Sequence, residues 1–204
     1  MLTSTSTEAI LDEDDRAIVL DLVRRSVTLG LLGEPHLEPM VKYHSPNLRR
    51  LRSSFVTLRQ NGDVVGRAGT VEPKTALVRD VCNNAYDAAY HCKPDLSREP
   101  LMVEVCIVSE LEHLKAKSFG EVCEQIAIGE HGALLQHTNG AATLTPDNWE
   151  HFRDTAEFTR QLCNRAGICP EAWQDDAQLS IYRVETLPRT EIGRYQTWRP
   201  DNPR

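Results

Sequence analysis

Arg67 lies between Gly66 and Gly69 within residues 55–71 (FVTLRQNGDVVGRAGTV), and this setting suggests ligand binding. The guanidinium of arginine is a planar fork that holds carboxylates and phosphates through two parallel hydrogen bonds. Glycines in a strand let a ligand or another backbone approach closely. The segment therefore predicts a ligand site formed by Gly66, Arg67 and Gly69. Alternatively, the glycines form a bulge or admit a packed helix, and Arg67 points to water.

Glu104 and Cys106 alternate with apolar residues in LMVEVCIV at residues 101–108, which is typical of a strand with one polar face. A thiol beside a positive charge ionises near neutral pH and becomes a nucleophile. Arg67 would supply that charge if the two strands were adjacent. These residues therefore predict a cleft with an acid beside a reactive thiol. The alternative is a glutamate paired with an arginine at the sheet surface, beside a half-buried thiol.

His131 lies in the turn GEHG at residues 129–132. Histidine titrates near neutral pH, so it would serve as an acid or a base if it faced a cleft. In a turn it is more often a surface residue or a local hydrogen-bonding group. Cys106, His131 and Glu104 are therefore weak catalytic candidates, and Glu104 and His131 are predicted to line the ligand site with Arg67.

The sequence indicates no metal site and no cofactor. None of its six cysteines forms a C-x-x-C pair, and a histidine pair such as His131 and His137 is weak support for a metal. It also lacks the phosphate-binding, dinucleotide-binding, zinc-protease and serine-hydrolase motifs. We therefore expect reduced thiols and a protein that binds neither zinc nor iron.

The charge and hydropathy of the chain limit its partners. Its 204 residues carry a formal net charge of -7, which argues against a nucleic-acid surface. The basic cluster NLRRLR at residues 47–52 is typical of a solvated helix or loop. No apolar run approaches the roughly 20 residues that span a bilayer, and the first residues do not resemble a secretory signal. We therefore expect a cytoplasmic protein without membrane or nucleic-acid partners, and the sequence leaves its oligomeric state open.

The predicted helices and strands lead us to expect an α+β fold, with a mixed or antiparallel sheet flanked by helices. A chain of 204 residues also leaves room for a smaller second lobe, which we expect as well. The turn signal Asn61-Gly62 predicts a hairpin, and Pro73 is expected to open the next helix. We expect a brief helix over residues 111–117. The predicted organisation is a flexible start at residues 1–10, a single domain at 11–187 and a flexible tail at 188–204.

Five segments, taken in order, resemble the AMMECR domain family, whose prokaryotic members are the A component of AmmeMemoRadiSam gene systems. They are FVTL…VGRAGTV at 55–71, DAAY at 87–90, LMVEVCIVS at 101–109, IAIGEHGALL at 126–135, and LCNRAGI at 162–168 with Trp173. The family's hallmark strand reads Leu-Arg-Gly-Cys-Ile-Gly. The aligned residues here are VVGRAG at 64–69, so Arg67 stands where the family has cysteine. A proposal based on that cysteine does not carry over to this chain.

The resemblance implies an AMMECR-like fold and a pathway shared with a Memo-type dioxygenase-like protein and a radical SAM protein, the two partners it suggests. The leading hypothesis is a component of such a pathway that binds a small ligand or a partner. One alternative is an enzyme that uses Cys106 with His131, and another is a pure protein-interaction module.

Overall fold

The structure is a computed structural model, and it describes residues 9–92, 100–116, 118–169 and 177–192. The chain divides into two compact units, residues 1–107 with 185–204 and residues 108–184. The predictions for residues 1–8, for Trp173 and for residues 193–204 lie outside the described part. The single domain over residues 11–187 stays a prediction.

The first unit contains helices and one antiparallel sheet. Its elements are α1 (Glu13–Leu32), a 3₁₀ turn (Val41–Tyr43), α2 (Pro46–Arg49), β1 (Ser54–Gln60), β2 (Asp63–Gly69), α3 (Leu77–Tyr90), β3 (Leu101–Val108), β8 (Val184–Thr186) and β9 (Thr190–Ile192). The strand order in the sheet is β2-β1-β3-β8, with β9 also pairing β3. α3 packs on β1 and β2, and α1 packs on α3.

Alternation along β1 and β3 separates the two faces of this sheet. Val56, Leu58, Val103, Val105 and Ile107 are fully buried in the core. Because side chains alternate between the two faces of a strand, the residues between them lie on the opposite face. We call this opposite face, formed by β2, β1, β3 and β9, the open face.

The hairpin of β1 and β2 turns at Asn61 and Gly62, whose φ angles are 54° and 89°. Both central residues of a type I′ turn need positive φ, and Asn-Gly supplies them at little cost. The predicted hairpin is therefore confirmed. A register shift opposite Leu58 and Arg59 marks a bulge in β2, so Val65 has no direct partner.

The second unit also contains helices and one antiparallel sheet. Its elements are β4 (Glu112–His113), α4 (Phe119–Gln125), β5 (Gly132–His137), β6 (Gly140–Leu144), a 3₁₀ segment (Pro146–His151), α5 (Thr155–Ala166) and β7 (Gln178–Tyr182). The strand order in the sheet is β4-β7-β5-β6. α5 packs on β5 and β6, and α4 packs on α5. Trp149 stacks on Phe158 in its core, with ring centroids 4.1 Å apart.

The helices and the two antiparallel sheets confirm the α+β prediction, and three local predictions need correction. Residues 112–113 form β4 rather than part of a helix, because Glu112 and His113 pair with β7. The helix expected from Pro73 begins only at Leu77, whose N–H donates to the carbonyl of Arg50 at 2.9 Å. The tail expected to be flexible from residue 188 instead forms β9 at residues 190–192, since it pairs with β3.

No helix among the described residues is long and apolar enough to cross a membrane.

Candidate functional site

The register of the first sheet aligns Arg67, Thr57 and Glu104 in one row across β2, β1 and β3. Thr57 pairs with Arg67 on one side and with Glu104 on the other. Directly opposite residues project to the same face of a sheet, and adjacent strands lie about 4.8 Å apart, so the Arg67 and Glu104 backbones are roughly 10 Å apart. The sequence singled out the two ends of this row but missed Thr57, which is 7% exposed between them.

Arg67 is exposed and lies over the ring of Phe55, with its guanidinium carbon 5.5 Å from the ring centroid. A cation over an aromatic face is held by the quadrupole of the ring. Among the described residues, no carboxylate forms an ion pair with Arg67. The guanidinium is therefore oriented by Phe55 and keeps its hydrogen-bond donors available to an anion.

Glu104 forms an ion pair with Arg189, whose Nε and Nη2 both donate to Oε2 at 2.9 Å. The Glu104 side chain is half-buried on the open face, and a buried carboxylate needs such a partner. A surface pair with an arginine was the alternative interpretation of this glutamate, and the structure has that pair. Arg189 itself was missed because residues 188–204 were predicted to be flexible; the alternation of Thr190, Glu191 and Ile192 was the available signal.

Cys106 lies on the same face as Glu104, directly opposite Phe55 on β1. Its Sγ is 3.5 Å from the Oγ1 of Thr186 on β8. β1 separates β2 from β3, so the strands of Arg67 and Cys106 are not adjacent. Arg67 is therefore not the immediate strand neighbour that the nucleophile hypothesis required.

A side chain at Gly66 or at Gly69 would clash with neighbouring backbone atoms of the protein. A Cβ at Gly66 would come within 2.2 Å of the Ala88 carbonyl oxygen of α3. A Cβ at Gly69, whose φ is 143°, would come within 2.4 Å of the Ser54 carbonyl oxygen. Helix packing and strand geometry thus account for both glycines, and their contribution to ligand binding stays a prediction.

His131 belongs to the second unit, at the start of β5, whereas the other candidates belong to the first. Its Nδ1 accepts the Ala127 N–H at 3.1 Å, and its carbonyl accepts the Trp149 Nε1–H at 2.7 Å. Burial lowers the pKa of its ring, and the charge of Arg183 lowers it further. His131 is therefore neutral at neutral pH, and the pairing of Cys106 with His131 stays a prediction.

Residues that could hold a metal ion do not converge in the described part of the chain, where no three His, Cys, Asp or Glu side chains are grouped suitably. The open face instead carries a positive group at Arg67, an ion pair at Glu104 and Arg189, and the aromatic ring of Phe55. Such a surface can bind an anionic group by charge and shape.

The fold and the open face define an α+β protein of two units with a candidate binding surface on an antiparallel sheet. The sequence model of the AMMECR1 family matches residues 20–187. The chain belongs to this family, which confirms the resemblance of its motifs.

Similar proteins can be aligned with most of the chain. Protein Mbar_A1807 of Methanosarcina barkeri is 28% identical over 190 residues, covering 89% of this chain and 93% of the relative. A protein of Methanocella arvoryzae is 31% identical over 151 residues, covering 68% and 74%. The crystal structure of the uncharacterised protein PH0010 from Pyrococcus horikoshii is similar with a TM-score of 0.67 and 22% identity, over 91% of this chain and 100% of that one. This structural similarity shows the shared fold.

Proposed function

We propose that this AMMECR1-family protein is a binding component whose small ligand or partner presents an anionic group to Arg67 on the open face. The observation that carries this proposal is the row of Arg67, Thr57 and Glu104, in which the exposed guanidinium has no carboxylate partner among the described residues. A carboxylate or phosphate fits the fork of an arginine in two parallel hydrogen bonds.

The residues near Arg67 favour the binding of a particular ligand shape, rather than a non-specific attraction of any anion. The ion pair of Glu104 and Arg189 lies at the other end of the row and fixes the Glu104 carboxylate. Thr57 lies between the two charges, and its hydroxyl can donate or accept a hydrogen bond. A ligand with an anionic group at one end and a polar group roughly 10 Å away, two strand spacings apart, matches this arrangement.

We place this binding role in the cytoplasm, in an AmmeMemoRadiSam-like pathway. Family membership supports this assignment, because the gene systems of the family combine this component with a Memo-type dioxygenase-like protein and a radical SAM protein. Those two proteins are the proposed partners. A radical SAM gene beside the gene for this chain would favour the assignment.

The experiment measures binding to the open face before and after Arg67→Ala. Phosphate and citrate are titrated into ¹⁵N-labelled protein, and the purified Memo-type and radical SAM proteins of the same genome are titrated by calorimetry. We expect shifts of the Thr57 and Arg67 amides with one of these probes, and a loss of about tenfold or more in affinity in Arg67→Ala. Arg67→Lys should restore only part of the affinity, because lysine keeps the charge but loses the fork.

Arg160→Ala is the matched control, since Arg160 is also an exposed arginine, on α5. Both variants should change the free energy of unfolding by less than about 1 kcal/mol, because neither side chain is buried and Arg67→Ala loses one exposed cation–π contact. Equal binding by wild type and Arg67→Ala would contradict the proposal, and so would an absence of amide shifts on the open face with every probe.

A further inference from the structure

A second charged surface of the first unit is formed by Lys42, Arg49, Lys74 and Arg79, all exposed. We call these four residues the basic surface. It includes part of the NLRRLR cluster at residues 47–52 and none of the residues of the open face. Its residues come from two segments that the fold joins, residues 39–55 and residues 73–79.

Backbone hydrogen bonds hold the two segments together. The Arg52 N–H donates to the Thr75 carbonyl at 3.3 Å, and the Leu77 N–H donates to the Arg50 carbonyl at 2.9 Å. Leu51 and Ala76 form an isolated antiparallel bridge between these bonds. The two segments that carry these cations are therefore neighbours in space, although about 30 residues separate them in sequence.

The positive charge of this surface is in local excess. Neither segment contains an aspartate or a glutamate. Among the described residues, none of the four cations forms an ion pair with a carboxylate. Four carboxylates adjoin the two segments, namely Glu38, Glu72 and the buried Asp15 and Asp80. They are outnumbered by the six lysines and arginines of the segments, in a chain whose formal net charge is -7.

Apolar side chains are exposed among these cations. Met40, Tyr43 and Leu51 are 59%, 72% and 60% exposed, and all three lie in residues 39–55. The ammonium of Lys42 lies 4.8 Å from the ring centroid of Tyr43. Cations interspersed with exposed apolar and aromatic groups form a surface that gains free energy from both charge neutralisation and apolar burial.

We propose that the basic surface docks an acidic segment of a partner protein in which carboxylates alternate with apolar residues. Charge complementarity selects the carboxylates, and Met40, Tyr43 and Leu51 contact the apolar residues between them. This partner is independent of the anionic group bound at Arg67. An acidic protein segment fits better than nucleic acid, because phosphates gain nothing from exposed Met40 and Leu51, and a long polyanion would meet the negative remainder of the surface.

The experiment uses a fluorescein-labelled peptide of about twelve residues in which Asp and Glu alternate with Leu and Phe. Its affinity is measured by fluorescence anisotropy for the wild-type protein, for the double variant Arg49→Glu with Lys74→Glu, and for Leu51→Ser. We expect the charge reversal to weaken binding about tenfold or more, and the affinity to fall with added salt. Leu51→Ser should weaken binding at unchanged charge.

The matched control is Lys115→Glu with Arg160→Glu, which changes the net charge by the same amount at exposed residues of the second unit. This variant should bind the peptide as wild type does, and thermal unfolding verifies that each variant is folded. Equal weakening by both double variants would overturn the proposal, as would no binding of the peptide to wild type. Tighter binding of a short DNA duplex or of phosphatidylserine vesicles at the basic surface would also overturn it, in favour of nucleic acid or membrane.

Discussion

Hydrogen bonds hold both the ring and the main chain of His131. The ring accepts the Ala127 N–H, and the carbonyl accepts the Trp149 Nε1–H. Because its Nδ1 accepts the Ala127 N–H, the proton of the neutral ring is on Nε2. Protonation of Nδ1 would remove this hydrogen bond and place a charge in a buried site near Arg183. The lowered pKa of His131 is therefore a property of the folded state that the unfolded chain lacks.

This difference predicts how the stability depends on pH. Because the folded-state pKa of His131 is lowered, the unfolded chain binds the proton first as the pH falls. The stability is then full above the ordinary pKa of about 6.5 and declines below it. We expect His131→Asn, which keeps an acceptor but does not titrate, to reduce this decline. The measurement is the urea midpoint at about pH 7.5 and at about pH 5.5.

His151→Asn is the comparison variant for this prediction, because it removes an exposed imidazole, which lies 3.4 Å from Glu150, and leaves the surroundings of His131 unchanged. A decline of the same size in wild type and in His131→Asn would contradict the assignment.

At the scale of residues, the strand faces on which side chains lie were predictable from the sequence, whereas the partners of those side chains were not. Arg67 and Glu104 share a face because both pair with Thr57. Strand alternation and the register of the hairpin follow from local patterns. The order of strands in the sheet does not, so the separation of Arg67 from Cys106 by β1 was not predictable. Arg189 reaches Glu104 from 85 residues away in sequence, and no local pattern encodes such a contact.

At the scale of elements, Gly66 sets how closely α3 approaches β2. The Ala88 carbonyl occupies the position that a side chain at residue 66 would need. On the other side of α3, a Cβ at Gly30 of α1 would come within 2.7 Å of the Tyr86 carbonyl and 2.9 Å of the Ala89 side chain. The end of α3 is thus enclosed by two glycines, one from a strand and one from a helix.

We predict that Gly66→Ala lowers the free energy of unfolding by about 1–3 kcal/mol, because the backbone of α3 would have to move. Chemical denaturation measures the change. Gly120→Ala is the control: Gly120 lies in α4 with nothing within 4 Å of an added Cβ, so alanine should be neutral or stabilise by up to about 1 kcal/mol. If Gly66→Ala is as stable as wild type, close packing is not the reason for this glycine.

The elements that sequence predicted best have strong local signals, and those it missed depend on tertiary pairing. Asn61-Gly62 dictates its turn by backbone conformation alone. Residues 112–113 become a strand only because β7 pairs with them, and residues 190–192 only because β3 does. In both cases the tertiary partner decides the conformation.

At the scale of the whole molecule, Glu185 joins the beginning of the first unit to its end. Its Oε2 accepts the N–H groups of Ile10 and Leu11 at 2.6 and 3.2 Å, and its Oε1 pairs with Arg16 at 2.7 Å. Residues 1–10 were predicted to be flexible, and residues 9 and 10 of that segment are described. Ile10 forms a defined hydrogen bond with Glu185.

We predict that Glu185→Ala lowers the free energy of unfolding by about 1–3 kcal/mol, because two backbone N–H groups and the Arg16 guanidinium lose a charged acceptor in a largely buried site. Urea denaturation provides the measurement. Glu130→Ala removes an exposed pair with Arg183 and should cost less than about 1 kcal/mol. Equal losses in the two variants would contradict the special role of Glu185.

The second unit lies between the two parts of the first unit in the sequence. The first unit therefore cannot complete its sheet until the second unit has been synthesised. β3 is completed by β8 and β9, which leave the ribosome only after residues 109–183. At roughly 5–20 residues per second, translation of that stretch takes on the order of ten seconds. For that interval one edge of β3, with its buried Leu101, Val103 and Val105, lacks its final partners. The nascent chain is then most exposed to mispairing at this edge.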